Sequence, residues 1–350
     1  MNMSNKENKV NAFLGEDLEK DQVVLSPAQM VSKRFIRNKL AILGIIILVF
    51  MALFSFIGPL LIKYNDSTIF YNVKYTDPET NQEVEFEIDG RDLDATRKKY
   101  AGMDLKILSN VKAKPSPSHI LGTDNLGRDN FTRLMHGGRV SLVIGFCVVV
   151  VELLIGVTLG GIAGYYGGKA DMIIMRLVEI FYAIPFIPLM LIISAVMIQM
   201  DISPDTKIYY IMLIMGVIYW ASVARTIRGQ ILSLREMEYM QAAEAAGIKP
   251  FKRIFKHLIP NVMPIIIIIA TMDLGSVILM ESTMSFLGVG VPATQASWGN
   301  MVSEVQALDG QLINYWYVWI PPGLCILFTV LAFNFIGDGL RDAFDPKMKR

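Results

Sequence analysis

Six long apolar stretches separate the polar parts of this 350-residue chain. Each is close to the roughly 20 mostly apolar residues that an α-helix needs to cross the hydrocarbon core of a bilayer. The pattern therefore predicts an all-α membrane protein with six transmembrane helices. The predicted spans are residues 41–62, 140–161, 173–198, 208–224, 263–287 and 317–337.

The composition agrees with a membrane protein and argues against a small soluble enzyme. Hydrophobic residues make up 53% of the chain, and the charged fraction of 19% is below the roughly 25% of soluble domains. The formal net charge of +1 argues against a nucleic-acid binder, which needs a strongly basic surface. Cys147 and Cys325 both lie in apolar runs and predict neither a disulfide framework nor a metal cluster.

Basic residues are concentrated in the segments that would share one side of the membrane with both termini. These segments hold seventeen Lys and Arg, whereas the two short loops on the other side, 200–207 and 288–316, hold only Lys207. The positive-inside rule therefore places the N and C termini in the cytoplasm. The polar residues 1–24 are expected to be disordered or loosely helical, and the apolar run after them is too long for a signal peptide.

A polar insert of residues 63–118 is predicted between the first two spans, on the extracytoplasmic side. Its residues 84–88 alternate apolar and acidic, which indicates one half-buried strand, so the insert should contain some β structure. Turn and N-cap residues follow in 119–139, and then Phe131, Leu134 and Met135 at helical spacing. This segment is expected to be a short amphipathic helix on the outer membrane surface.

The sequence contains no nucleotide-binding motif. The run Gly167-Gly168-Lys169 lacks the flanking glycine and the Ser or Thr of a P-loop, so the chain is not expected to hydrolyse ATP alone. Its histidines follow no metal-ligand spacing, so His119 and His136 are expected to be ordinary surface residues and no metal site is predicted.

Three acidic residues, Glu152, Asp273 and Glu281, fall inside predicted spans. Acids are costly in a bilayer, so each is a candidate for a substrate path. Asp273 and Glu281 are about 80° apart around one helix and could equally pair with polar groups of another helix.

Glycines recur at every fourth position from 156 to 168 along one face of the second span. Small residues at this spacing let helices approach closely in lipid. The stripe predicts close packing either within the chain or against a partner subunit.

The loop of residues 225–262 predicts two short amphipathic helices joined by an elbow at Gly247. Pro250 suits the first turn of the second helix, and Pro260 is expected to end it. In that helix Phe251, Ile254, Phe255 and Leu258 would share one face, opposite Lys252, Arg253 and Lys256. The pair is either a membrane-surface element or a docking knob for a cytosolic protein.

The spacing of this loop resembles a cytoplasmic motif of the permease subunits of ABC importers. The family motif reads Glu-Ala-Ala, three residues, Gly, nine residues, and then Ile, one residue and Leu-Pro. This chain has Gln-Ala-Ala at 241–243, Gly247, and His-Leu-Ile-Pro at 257–260. Gln replaces the Glu, and His and Ile replace the Ile and the Leu. Residues 121–141 and 281–299 resemble the C-type permease subunit of oligopeptide and dipeptide importers.

The resemblance implies a type I ABC importer permease fold and a subunit that is not itself an enzyme. Its implied partners are a B-type permease subunit, two cytosolic ATPase subunits that bind ATP and Mg, and an extracytoplasmic peptide-binding protein. No cofactor is expected on this chain, and the implied location is the cell membrane of a prokaryote. The implied coupling helix, which would dock on an ATPase, contains Gln241, Ala242, Ala243, Glu244, Ala245, Ala246 and Gly247.

The chain is thereby divided into six parts. They are a cytoplasmic tail (1–40), the first helix (41–62), the insert (63–118), the outer segment (119–139), a permease core with its coupling loop (140–337) and a second cytoplasmic tail (338–350).

Other functions remain open at this point. Within the family, a dipeptide permease or a nickel or metal-chelate permease is the nearest alternative to an oligopeptide permease. Outside the family, the intramembrane acids would suit an ion-coupled secondary transporter, although no inverted repeat is visible. A membrane receptor or scaffold and an intramembrane enzyme are weaker alternatives.

Overall fold

The computed structural model describes residues 26–77 and 80–345, which are mostly helical. The helices are α1 (Pro27–Arg37), α2 (Lys39–Phe56), α3 (Gly58–Leu61), α4 (Leu93–Lys99), α5 (Asn130–Tyr166), α6 (Gly168–Ala183), α7 (Phe186–Gln199), α8 (Pro204–Arg235), α9 (Glu238–Ala245), α10 (Pro250–Lys252), α11 (Ile259–Phe286), α12 (Trp298–Ser303) and α13 (Trp316–Phe344). The strands are β1 (Phe70–Thr76), β2 (Glu83–Asp89) and β3 (Lys106–Ser109). The N-terminal tail prediction for residues 1–24 lies outside the described residues.

Five helical stretches of the described chain are long and apolar enough to cross a membrane, or six when α6 and α7 are taken as one broken span. The third predicted span, 173–198, is therefore not one helix but this pair, which is bent by 78°. Ile184 at the break is extended, because a residue that precedes a proline avoids the helical region. Pro185 thus breaks the span and does not merely kink it.

The glycine stripe of α5 packs against α8 of the same chain. A Cβ at Gly156 would lie 2.6 Å from Val223 Cβ, and one at Gly160 would lie 2.5 Å from the carbonyl oxygen of Ala224. Gly164 faces Ile231 in the same way. Successive glycines of α5 contact residues of increasing number in α8, so the two helices run parallel. The stripe therefore serves packing within the chain.

The helix directions give the bundle two distinct ends. α13 runs back along α2, so that Gly339 contacts Ala41 while Arg34 Nη1 donates to the carbonyl oxygen of Asp345 at 3.0 Å. We call this the tail end, and it also carries α9. The opposite end, which carries the insert, is the insert end. The tail end carries the basic residues of α1 and of the loop around α9, which the sequence placed on one side of the membrane.

The insert is built on a three-stranded antiparallel sheet with strand order β2-β1-β3. Val73 of β1 pairs with Phe86 of β2 and with Ile107 of β3, and it is fully buried. Residues 84–88, where the apolar and acidic alternation predicts a strand, lie within β2.

The segment 119–139 is not a separate surface helix. α5 begins at Asn130 and continues without a break to Tyr166. Asp129 caps it by accepting a hydrogen bond from the Thr132 backbone N–H at 2.7 Å. Leu134 is buried against Trp298, so its apolar spacing reflects packing in the bundle and not a membrane surface.

His119 is not a surface residue, since only 2% of it is exposed. Its Nδ1 lies 2.9 Å from Asp129 Oδ1, and its Nε2 lies 2.6 Å from Glu87 Oε1. The ring therefore joins β2 of the insert to the cap of α5. His136 is half-buried.

Candidate docking helix and acidic cavity

The residues implied as a coupling helix form α9 and its C-terminal turn, on the surface at the tail end. Gln241, Ala242 and residues 244–247 are exposed, and Ala243 is half-buried. Met240 on the opposite face is buried in an apolar cluster with Ile231 of α8. The helix thus presents a surface of small residues and is held by one apolar anchor.

Gly247 ends this helix in a left-handed conformation, with φ of +71°. Its backbone N–H donates to the Glu244 carbonyl at 2.9 Å, and the N–H of Ile248 donates to the Ala243 carbonyl at 3.1 Å. These two bonds define a Schellman turn, in which glycine is favoured because it has no Cβ. The predicted elbow is therefore present and has a defined geometry.

Arg253 does not lie on an exposed polar face, as the spacing suggested, but is buried. Its Nη1 forms an ion pair with Glu244 Oε1 at 3.0 Å, and its guanidinium lies over the ring of Tyr165, 5.4 Å from the centroid. One side chain thus contacts both α9 and the C-terminal end of α5. Ile254 and Leu258 are buried as expected, whereas Phe251 is exposed.

Pro260 does not end the second helix of this loop. From Pro250 the chain passes through α10 and a π-helical turn, Arg253–Leu258, directly into α11. Proline lacks an N–H and clashes with the carbonyl four residues earlier in a regular helix. The wider π-helical turn just before Pro260 lets the helix pass this position. Asn261 Nδ2 donates to the carbonyl of His257 at 2.8 Å in the same turn.

Two of the three candidate acids come together in a cavity of about 320 Å³. Glu152 of α5 and Asp273 of α11 both line it, and their carboxyl groups are within hydrogen-bonding reach of each other. The other walls come from α8 and from both sides of the break between α6 and α7. Asp273 lies midway along α11, so the cavity lies near the middle of the bundle.

Glu281 lies outside this cavity, in a buried cluster of serines nearer the insert end. It accepts hydrogen bonds from Ser141 Oγ at 3.1 Å and from Ser285 Oγ at 2.7 Å. This geometry matches the structural role that the sequence left open for an intramembrane acid. Its position around α11, away from Asp273, is the reason that the two acids have different surroundings.

A buried charged cluster at the insert end was not predicted from the sequence. Asp124 Oδ2 accepts from Arg128 Nε at 2.6 Å, and Glu304 lies 3.6 Å from Arg133 Nη2 and 3.7 Å from Arg128 Nη2. Burial, and then the charge of Asp124, raise the pKa of Glu304 to about 7. The available signal was the charged run 121–133, but nothing in its spacing pointed to Glu304.

The comparison with known proteins identifies the family. The model of the inner membrane component of binding-protein-dependent transport systems matches residues 156–350, more than half of the chain. This chain belongs to that family. A second model, the N-terminal transmembrane domain of oligopeptide transport permease C, matches residues 26–81 of the permease.

The permease is similar along most of its length to curated transport proteins. It is 35% identical to the oligopeptide transport system permease protein OppC of Bacillus subtilis (strain 168) over 341 residues, 97% of this chain and 95% of that protein. Identity to the dipeptide transport system permease protein DppC of the same organism is 35% over 326 residues, 93% of this chain and 88% of that protein. Identity to OppC of Haemophilus influenzae is 34% over 321 residues, 91% and 88% of the two chains.

Proposed function

We propose that this permease is the C-type membrane subunit of an ATP-driven ABC importer of oligopeptides, with its tail end in the cytoplasm. It would pair with a B-type permease, receive peptide from an extracytoplasmic binding protein at the insert end, and depend on two cytosolic ATPases for ATP hydrolysis. The relatives described above are oligopeptide transport permeases, which supports a peptide substrate. The basic residues at the tail end support the orientation.

The observation that carries the proposal is the exposed surface of α9 at the tail end. Alanines and Gly247 keep this surface small enough to enter a cleft, while Met240 holds the other face against α8. A cytosolic ATPase that grips the small-residue surface would therefore move α9 as a unit.

The contacts of α9 connect it to three helices that line the cavity. Arg253 ties α9 to α5, the apolar cluster of Met240 ties it to α8, and the chain itself continues into α11. These three helices all contribute walls to the cavity. A rigid-body shift of α9 would thus change the cavity and the spans around it, which is the expected basis of switching between two packed states.

Reconstitution tests the proposal. We expect the tagged permease, purified in mild detergent, to bring a second permease and two P-loop ATPases in similar amounts. Proteoliposomes of this complex with the binding protein should accumulate trialanine only when ATP is supplied. Recovery of the chain alone, stable and monodisperse, would count against the importer.

The paired carboxyl groups favour one second candidate, an ion-coupled secondary transporter. Titratable acids near the middle of a bundle are typical of proton relays. Peptide uptake that survives ATP depletion and stops with a proton uncoupler would favour this function, and the opposite pattern would exclude it.

A further inference from the structure

We infer that the acidic cavity binds an organic ammonium group, carried by the transported peptide. The inference rests on the proposed function for the identity of the cargo, and it names the chemistry that this chain would recognise. It concerns the cavity lined by Glu152 and Asp273.

The first observation is an excess of negative charge. Glu152 and Asp273 are the charged members of the described cavity lining, which contains no Lys, Arg or His. Two carboxylates in contact repel each other unless a proton or a cation lies between them. Arg225, one turn beyond Ser222 on α8, lies over the ring of Tyr182 with its guanidinium 4.5 Å from the centroid, and it is not a lining residue.

The second observation is an unused acceptor. Glu152 is only 1% exposed, and its Oε1 atom accepts no hydrogen bond from an N–H or hydroxyl group of the described residues. A buried acceptor without a donor costs free energy, so this pair of acids needs either a shared proton or a bound donor that replaces it. An ammonium group supplies three N–H donors and one positive charge, which suits both carboxyl groups at once.

The rest of the cavity suits an organic cation. Phe186 and Tyr219 pack with their ring centroids 5.2 Å apart, and Tyr182 also lines the cavity. Aromatic faces attract ammonium groups and also accept apolar carbon atoms. By contrast, the described residues contain no group of three or more His, Cys, Asp or Glu that could hold a metal ion.

The mouth of the cavity is polar although it lies near the middle of the bundle. Ser222 and Ser276 line it and are exposed, and Asp273 is half-buried. Polar groups at this depth avoid hydrocarbon and face a wet cavity or another protein surface. The mouth of the cavity is therefore expected to face water or another protein surface and not lipid.

Protection of the two carboxyl groups from chemical labelling measures peptide binding at the cavity itself. The selectivity of the extracytoplasmic binding protein then does not decide the result. Dicyclohexylcarbodiimide modifies carboxyl groups in apolar surroundings, and mass spectrometry of the assembled complex in nanodiscs reports labelling of Glu152 and Asp273. We expect trialanine to slow this labelling about tenfold, the factor that corresponds to one good charge-assisted contact. N-acetyl-trialanine, which lacks the ammonium group, should not slow it.

A third peptide separates the two sources of the ammonium group. N-acetyl-Ala-Lys-Ala carries it only on a side chain. Protection by this peptide as well as by trialanine would indicate a site for any ammonium group, whereas protection by trialanine alone would indicate recognition of the peptide N-terminus. Both results support the inference.

Variants connect the site with transport. In proteoliposomes of the complete importer, Glu152→Gln and Asp273→Asn should each lower ATP-driven trialanine uptake about tenfold, since each removes a charge from the site. The matched control is Glu179→Gln, the same chemical change at an exposed residue of α6, which should retain uptake within about twofold. If the two cavity variants fail to assemble, the protection measurement on the unmodified complex decides.

Equal protection by trialanine and N-acetyl-trialanine, or protection by neither, would overturn the inference. The proposed function fails separately, when the unmodified complex accumulates no peptide with ATP. Normal ATP-driven uptake without ammonium-dependent protection would therefore remove the ammonium site and leave the importer intact.

Discussion

Arg253 Nη1 lies 3.0 Å from Glu244 Oε1, and this ion pair joins α9 to the segment that continues into α11. The same guanidinium packs over Tyr165 at the end of α5. Because Arg253 is buried and Glu244 is 71% exposed at its side chain, the contact with Tyr165 holds the guanidinium more firmly than the ion pair does. The side chain therefore links three helices at the tail end.

Replacement of Arg253 by Gln should weaken this link more than it weakens the fold. We expect a loss of stability of no more than about 1 kcal/mol from the half-exposed ion pair, and a several-fold loss of peptide uptake per ATP hydrolysed. Uptake and ATPase rates in proteoliposomes measure this ratio. Arg176→Gln, which removes the exposed ion pair with Glu179 at 2.7 Å, is the matched control and should leave the ratio unchanged. An equal ratio in both variants would exclude a linking role.

Substitution of Gly247 should separate docking from folding. Gly247→Leu should leave membrane insertion intact and abolish uptake, because the side chain would enter the docking surface. A Cβ at this position meets no described atom within 4 Å, so the fold itself has room for it. Gly247→Leu and Gly247→Ala should each cost about 1–2 kcal/mol of backbone strain at this positive φ, so Gly247→Ala is the control for strain without bulk. Gly247→Asn tolerates the left-handed backbone. Insertion is measured by membrane fractionation, and normal uptake by Gly247→Leu would argue against docking at this surface.

The approach of α5 to α8 should make Gly160 intolerant of even one methyl group. A Cβ there would lie 2.5 Å from the Ala224 carbonyl oxygen, so Gly160→Ala must push the helices apart and should cost about 1–3 kcal/mol. The thermal midpoint of the purified permease should fall. Gly229→Ala, in α8 where a Cβ meets no described atom within 4 Å, is the control and should be neutral or stabilising by about 0.5–1 kcal/mol. Equal midpoints would contradict the packing role of the stripe.

The contact that His119 makes between β2 of the insert and the cap of α5 should weaken as the pH rises. Burial lowers the pKa of His119, but the hydrogen bonds that its ring donates to Asp129 and Glu87 outweigh this effect, so the net pKa is raised above 6.5. A raised histidine pKa contributes stability that is fully present below pH 6.5 and lost as the pH rises through the folded value. The protection factors of the β2 amides, which correct for the intrinsic base catalysis of exchange, should therefore fall above pH 6.5, and His119→Gln should remove this dependence.

Glu304 should add a second pH dependence in a lower window. Its folded pKa of about 7 exceeds the ordinary value of 4.5, so the folded state holds the proton more tightly. The stability it contributes is present below pH 4.5 and lost as the pH rises to about 7. Glu304→Gln should remove this loss of stability between pH 4.5 and about 7, whereas His119→Gln should leave it unchanged. A stability curve that is the same in Glu304→Gln and in the unmodified permease would show that Glu304 does not titrate in this range.

Hydrophobic runs and Gly and Pro residues were sufficient to predict most of the elements. They predicted the spans, the strand within β2 and the elbow at Gly247, because these features depend on residues close together in the chain. Local rules failed where a neighbour in space decided the outcome. Pro260 appeared to end a helix, but a π-helical turn just before it lets the helix continue into α11.

The site was predicted in part. The sequence proposed three intramembrane acids but could not pair them, since Glu152 and Asp273 meet only when α5 and α11 pack together. Glu281, on another side of α11, meets serines instead. The burial of His119 was missed because its partners Glu87 and Asp129 come from two different parts of the chain.

The sequence by itself determined that this protein is a multi-span membrane protein of the permease family with a surface helix that ends at Gly247. Those properties follow from hydrophobic length, the placement of basic residues and local backbone preferences. Only the tertiary structure decided that the glycine stripe packs within the chain, that Arg253 is buried and that two acids share one cavity. These outcomes depend on contacts between distant residues, which no local pattern specifies.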